Sequence, residues 1–477
     1  MKQAEAPRSA NRCLDDKHAA ATVHAAGLTW TGDTGDISLV DDVFTSGRSF
    51  STSRSRASEG GRIGAASRNS QPSNQPVPHE RTRIDVMIVS WWCGFMLYET
   101  PTLDAEDRRV LEEIEAMRRR LRHQLRAQPR WSGQLRRNLT ARAIAGSNTI
   151  EGYAATVDDV EALMTGEEPL ETADRIRVEL EGYQRAMTYI QALADAGDDF
   201  RYDAGLLNGL HFMLQGHHLD KRPGRWRDGP VFVTSPDDPL VPAYTAPDVE
   251  NVPTLMGELI DWLNDGDLDV PVHVRASMAH LNLVNVHPWK DGNGRMSRAV
   301  STLVFAREAL MPPEFSSIEE WLGRGQNTYG YYRVLQQVGG PNWSPGRDTH
   351  AWIRFCLEAH HRQVQQAQRR TDLLSRAWIH LGEAAAETGL AERVVYALLP
   401  AFWGSRVRRT VYQQDAELSD QQAIRDIREL VRLGWLVPHG KARARFYGPG
   451  PRMTPAQEAV RQSLEPYAEP YQGEPRG

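Results

Sequence analysis

The sequence predicts a mainly α-helical protein: a low-complexity N-terminal extension, a helical body interrupted by one β-hairpin, and a C-terminal helical module that ends in a β-ribbon. Three observations point there. Apolar residues recur near a 3.6-residue period through most of the stretch from Leu103 to Arg370. Strand-like runs are confined to Pro230–Tyr244 and to GWLVPHGKARARFYG, which begins at Gly434. The first 83 residues are small and polar without sustained period, as in SGRSFSTSRSRASEGGRIGAASRNSQPSNQP.

Taken in order, residues 1–100 are expected to be a disordered extension without chemistry of its own, with Met87 and Met96 as alternative starts. The apolar run Val86–Tyr98 covers 13 residues, short of the roughly 20 that span a bilayer. The opening residues lack the apolar stretch of a signal peptide, so a cytoplasmic protein with no membrane partner is expected. LDAEDRRVLEEIEAMRRRLRHQL, from Leu103, reads as an amphipathic helix whose RRRLR stretch is a solvated face. Further helices are expected over Leu135–Ile150, Val157–Met164, Ala173–Leu193, Ala204–Leu214 and Val249–Leu263. Between the last two, Pro230–Tyr244 sets short β-prone runs on either side of a Ser-Pro-Asp-Asp-Pro turn and reads as a hairpin. The expected divisions are a helical region over 101–200, a core over 201–370, a C-terminal module over 371–450 and a flexible tail over 451–477.

Composition narrows the function classes. A chain of 477 residues and 53.7 kDa calls for more than one unit. Its net charge of −6, from 56 basic and 62 acidic residues, excludes a polycationic nucleic-acid coat. Cys13, Cys93 and Cys356 form no CxxC, which excludes a disulfide scaffold and a cysteine zinc site. Basic charge concentrates between Ser405 and Gly450, with nine basic residues against five acidic. There a helix over Asp420–Gly434 precedes the two-strand pattern, the layout of a winged helix. Arg425, Arg428 and Arg432 on that helix, with Lys441, Arg443 and Arg445 on the ribbon, are the candidate DNA contacts.

Chemistry concentrates in LNLVNVHPWKDGNGRMSRAVSTLVF, where two helical patterns flank the loop HPWKDGNG. Gly292-Asn293-Gly294 permits positive φ and close backbone approach, so that successive N–H groups converge on an anion. The following helix presents its positive end to the same place, with Arg295 and Arg298 three apart on one face. Asp291 supplies a carboxylate suited to Mg²⁺. His287, with a pKa expected near neutrality, is the candidate general base. Base, metal carboxylate, nest and paired arginines in twelve residues describe a polyphosphate site; no GxxxxGK[ST] competes with it.

His287–Arg298 resembles the Fic signature HPFx[D/E]GNGRxxR, with Trp289 in the place most often held by Phe. The resemblance implies an all-helical Fic (fido) domain that transfers AMP from ATP to a Ser, Thr or Tyr hydroxyl of a target protein, or of the chain itself, releasing pyrophosphate. It implies that His287 takes the hydroxyl proton and that Asp291 holds Mg²⁺. Gly292, Asn293, Gly294, Arg295 and Arg298 would bind phosphates. It further implies that the hairpin, at Val231, Phe232 and Val233, is a flap that pairs with the target, and that Tyr332 borders adenine, although Gly339 stands where relatives often carry Asn. Upstream, Ser147, Glu151 and Gly152 match [S/T]xxxE[G/N], which in Fic proteins marks an inhibitory helix whose Glu pairs with the second arginine, here Arg298. Two alternatives stay open: the reverse, de-AMPylating reaction with Glu151 catalytic, and a nucleotide-sensing DNA-binding regulator. The resemblance also makes a homodimer an open expectation.

Overall fold

The computed structural model describes Thr29–Thr31 and residues 97–471, apart from 127–129, 198, 235–241, 309–310, 442–443 and 463–466. After β1 (Thr29–Thr31) come α1 (Ala105–Arg126), α2 (Ser132–Ile150), α3 (Val157–Met164), α4 (Asp174–Leu193) and α5 (Ala204–Gln215). The hairpin strands β2 (Phe232–Thr234) and β3 (Pro242–Thr245) follow, then α6 (Val252–Asp265), α7 (Val272–Val286) and α8 (Asn293–Arg307). The chain continues through α9 (Glu319–Leu322), α10 (Gly325–Gly339), α11 (His350–Glu387), α12 (Val395–Trp403), α13 (Arg409–Asp415) and α14 (Asp420–Arg432). It ends in β4 (Leu436–His439), β5 (Phe446–Pro449) and α15 (Thr454–Gln462).

The helices forecast from apolar spacing form within a few residues of the expected limits, because their periodic faces are the buried ones. Helix starts have local causes. Thr156 accepts from Asp159 N to cap α3, Asp203 accepts from Leu206 N to cap α5, and Ser419 with Gln422 forms a capping box on α14. Helix α7 is buried along its whole length, as is α8 up to Ala306. They form the central pair, and the loop between them is the signature loop. One core surrounds this pair with residues of α2, α4, α5 and α6; a second joins α1, α7, α10 and α11; a third joins α2 and α11 to the C-terminal elements.

Several expectations are corrected. Leu97 and Tyr98 belong to the packed body, Tyr98 N donating to Asn282 Oδ1 at 2.8 Å, so the extension ends before residue 100. Thr29–Thr31, expected to lack structure, forms β1 by antiparallel pairing to the edge of β2, a long-range contact that local composition does not encode. Arg118 of the RRRLR stretch is buried beside Glu115, His273 and Ser316, because the apolar face of α1 continues through it. The tail contains α15, and Tyr471 returns to donate to Asp107 Oδ1 at 3.1 Å. Helix α11 runs without a break across the 370/371 division. In the C-terminal region the expected helix and two-stranded ribbon are present, and a further bridge joins Val407 to Tyr447.

Candidate active site

The loop is built to hold one shape. Helix α7 ends at His287, which takes a left-handed φ of 52°, and Gly292 takes 76° before α8 begins. Gly292 is required twice: by its φ, and because a Cβ there would lie 2.9 Å from Gln215 Nε2, whose amide packs beneath the loop. Asn293 braces the turn with both ends of its amide, accepting from Trp289 N at 3.0 Å and donating to Trp289 O at 2.8 Å. Its side chain is therefore committed to the loop, unlike the phosphate contact expected of it. Trp289 fills the core, donates to Asn208 Oδ1 at 2.9 Å, and stacks on His211. His211 accepts from Gly224 N and so donates through Nε2 to Asp291 O at 2.9 Å.

His287 is buried, and its Nδ1 faces the Val284 carbonyl at 3.1 Å. A carbonyl only accepts, so Nδ1 carries the proton and Nε2 is the basic nitrogen. Burial pushes its pKa down to about 3, not the neutrality expected from the sequence. Asp291 lies at the loop's floor with Oδ1 accepting from Gly292 N at 2.6 Å, and burial pushes its carboxyl up. Arg227 rivets the loop to the hairpin base: Nε donates to His287 O at 2.9 Å and Nη2 to Pro247 O at 2.5 Å.

Both motif arginines are 2% exposed, and each faces a carboxylate. Arg298 donates to Glu151 Oε1 at 2.7 Å, to Ser147 Oγ at 2.8 Å and to Ser147 O at 3.1 Å; its Nη1 is buried and has no hydrogen bond of good geometry among the described residues. Glu151 is delivered there by the end of α2. Gly152, at φ 84°, lets Tyr153 N bond Asn148 O and Gly152 N bond Thr149 O, a Schellman termination that turns the chain just after Glu151. Arg295 donates to Glu179 Oε2 of α4 at 2.5 Å and lies over the Tyr153 ring. Gly294 is helical, not left-handed; its role is to lack a side chain, since a Cβ would lie 2.5 Å from Glu151 Oε1. A carboxylate oxygen thus rests against the first turn of α8, where geometry leaves backbone N–H groups without intrahelical partners.

Beside the loop, β2 and β3 pair with Phe232 opposite Thr245 and Val233 opposite Tyr244. Val231 and Val233 are buried and Phe232 is half-buried, while Tyr244 donates to Asn285 O at 2.6 Å. Residues 235–241 of the expected hairpin lie outside the described residues. Val233, Tyr244, Val284, Asn285, Tyr332 and Leu335 line a narrow cleft of about 20 Å³, room for little more than a water molecule. Tyr332 donates to Ile150 O at 3.1 Å, tying this cleft to the end of α2. Gly339 has its space filled by Asn285, whose Oδ1 would be 2.6 Å from a Cβ at that position. The structure therefore gathers Ser147, Glu151, Gly152, the loop, the hairpin and Tyr332. Glu179, His211, Arg227 and Asn285 join them without having been singled out in the sequence.

The C-terminal candidates are on other elements. Arg425, Arg428 and Arg432 occupy the exposed face of α14, Arg432 paired with Glu429 at 2.5 Å, and Lys441 and Arg445 are exposed at the ribbon. Arg443 lies outside the described residues. Arg406 and Arg408, part of the same basic count, turn inward: Arg406 to Asp159 at 2.8 Å and Glu171 at 2.5 Å, Arg408 to Glu167 at 3.2 Å.

Comparison with known proteins agrees with the loop. The family model described as Fic/DOC family matches residues 202–305. The chain is 25% identical over 222 residues to "Protein adenylyltransferase Fic" of Nematostella vectensis, covering 46% of each. It is 30% identical over 187 residues to the protein of the same name from Culex quinquefasciatus, covering 39% of this chain and 33% of that one. The chain thus spans less than half the length of these relatives. A Fic family protein from Desulfovibrio desulfuricans G20, solved by crystallography, aligns over 74% of this chain and 99% of its own at 21% identity, with a TM-score of 0.46. The matched segment runs from α5 through the hairpin, the central helix pair and the signature loop, and over these residues this chain is similar to the Fic/DOC family.

Proposed function

We propose that this chain is a protein adenylyltransferase that moves AMP from ATP to a hydroxyl of a target protein and is held back by Glu151. The observation that carries the reading is the carboxylate of Glu151 lying against Gly294 and Arg298, the anion position of the loop. Nη1 of Arg298 and Nε of Arg295, both buried and without a hydrogen bond of good geometry among the described residues, fit a site made for more negative charge than two carboxylates supply. With a nucleotide there, the target hydroxyl oxygen attacks the α-phosphorus, the bond to the bridging oxygen breaks, and pyrophosphate leaves with the electron pair. The hydroxyl proton passes to His287 Nε2. Arg295, Arg298 and the α8 N-terminus stabilise the phosphates, and catalysis rests on positioning and charge compensation. Asp291, a half-buried carboxylate of the loop, fits a hard divalent cation. It would hold Mg²⁺, which when bound neutralises phosphate charge.

The hairpin supports the place of the target. The pairing of β1 to β2 illustrates that the β2 edge accepts an added antiparallel strand. In this reading the narrow cleft between Tyr244 and Tyr332 has to open to admit the base, and an ion pair from Glu151 withdraws Arg298 from the terminal phosphate. The test is labelling with α-³²P-ATP and Mg²⁺. Glu151→Gly is expected to raise self- and lysate labelling at least about tenfold, and adding His287→Ala is expected to remove it by about 100-fold or more. Equal labelling of wild type and Glu151→Gly, both folded, defeats the brake; labelling that survives His287→Ala defeats the transferase reading.

A further inference from the structure

Glu179 has a second set of neighbours. While Oε2 holds Arg295, Oε1 faces two imidazoles from the residues just after α5: His217 Nε2 at 3.1 Å and His218 Nε2 at 2.8 Å. The three ligand atoms lie within 4.8 Å of one another. The approach depends on glycine. Gly182, one turn beyond Glu179 on α4, has no Cβ; one there would lie 2.3 Å from Leu214 O and 3.3 Å from His217 Cε1. The end of α5 therefore seats against α4 and delivers the histidine pair to the carboxylate. Glu179 is 1% exposed and the His217 side chain 14%, while the His218 side chain, at 40%, gives the cluster a route to solvent.

An ordinary ion pair accounts poorly for this arrangement. The charge of Glu179 is already met by Arg295, so two imidazolium ions would add uncompensated positive charge around a buried carboxylate. Two neutral imidazoles account for one ring only, since His218 Nε2–H can donate to Oε1 at 2.8 Å while His217 is left over. Despite the 3.1 Å approach to Oε1, neither ring nitrogen of His217 makes a hydrogen bond of normal geometry, and both are buried, a costly state for polar atoms. A cation that takes the Nε2 lone pairs and one carboxylate oxygen removes the excess of imidazolium charge and gives His217 Nε2 a partner, leaving its Nδ1 as the one nitrogen of that ring still to be met. Donors around a tetrahedral centre with bonds of ~2.0–2.1 Å stand about 3.3 Å apart; the two nitrogens stand 3.1 and 2.8 Å from Oε1, so small side-chain shifts bring the three donors to that spacing.

We propose that Glu179, His217 and His218 form a site for a transition-metal dication, Zn²⁺ by its donor set, with a fourth position open towards solvent. Two imidazoles and a carboxylate suit zinc better than Mg²⁺ or Ca²⁺, which prefer all-oxygen ligands. The site is separate from Asp291 and from the Mg²⁺ of the transfer reaction, and it stands whether or not the chain transfers AMP. Its carboxylate is shared with Arg295, so the metal would fix the anchor of the first motif arginine from the outer side.

The test uses untagged full-length protein stripped with chelator and titrated with Zn²⁺ by calorimetry and with Co²⁺ by visible absorption. Expected are one equivalent bound at micromolar or tighter affinity and the intense visible bands of four-coordinate Co²⁺. His217→Ala is expected to abolish both. His218→Gln, at a half-exposed position that threatens the fold least, is expected to weaken binding by more than the roughly 10–100-fold that loss of an outer partner costs. Circular dichroism checks that each variant is folded. No saturable binding of Zn²⁺ below millimolar concentration overturns the proposal, as does binding that the folded His218→Gln variant leaves unchanged.

Discussion

Helices α8 and α14 both carry arginines three or four residues apart, and the protein treats them oppositely. On α8, Arg295 and Arg298 are buried, and each is met by a carboxylate from an element more than 100 residues earlier in the chain. On α14, Arg425 and Arg428 are exposed, and among the described residues Arg432 pairs with Glu429 of its own helix. Burying a guanidinium is so costly that the fold must supply partners. A buried arginine is thus evidence of a constructed site, whereas an exposed one is compatible with mere solubility. The same contrast divides the C-terminal region itself. Arg406 and Arg408 are spent on the acidic residues of α3 and the segment before α4, so the local excess of basic residues overstates the surface available to a nucleic acid.

Stability measurements can break this comparison. The largest effect is expected from Glu179→Gln, which strands Arg295 in the core and should cost about 3 kcal/mol in denaturant unfolding. Glu151→Gln should cost only about 1 kcal/mol, because Arg298 keeps both Ser147 oxygens and the Glu151 side chain is 16% exposed. Equal costs would show that the two pairs are not built differently. Arg406→Ala, losing its inward ion pairs, is expected to cost about 1–2 kcal/mol, while Arg425→Ala stays within about 0.5 kcal/mol. If Arg425→Ala proves the more damaging, the division into inward and outward arginines is wrong.

The last prediction is an absence of effect. His287 is held with a pKa of about 3, below the ordinary 6.5, by burial. A base whose pKa is lowered stays neutral at every pH above that value. The Glu151→Gly enzyme should therefore show no acid limb near pH 6.5 assigned to this residue. A limb there, abolished together with His287, would place the histidine in a wetter setting than the one described.

What the sequence made legible was local. Caps, apolar faces and the twelve-residue loop lie within a few residues of one another, and so does the Ser147–Gly152 signature, whose i and i+4 members both reach Arg298. Glu179 and Arg227 carried no such signal. Glu179 sits on an ordinary amphipathic helix 116 residues before its partner Arg295, and Arg227 acts through backbone oxygens, which no residue pattern announces. The motif marks His287 but not its lowered pKa, because burial is a property of the packed molecule. The division at 370/371 failed for a related reason. Helix α11 runs unbroken across it, and what changes there is the set of neighbours the helix packs against.

That helix has a consequence for how the protein comes apart. At 38 residues, α11 is about 57 Å long. Its first half buries Trp352, Ile353, Cys356 and Leu357 in the core it shares with α1, α7 and α10. Its second half buries Leu374, Ala377 and Leu381 against the C-terminal elements. Melting either end frays a rod on which the other depends. Residues 97–471 should therefore lose structure in one cooperative heat-absorption peak, and a calorimetric scan that separates into two would show α11 to be a hinge.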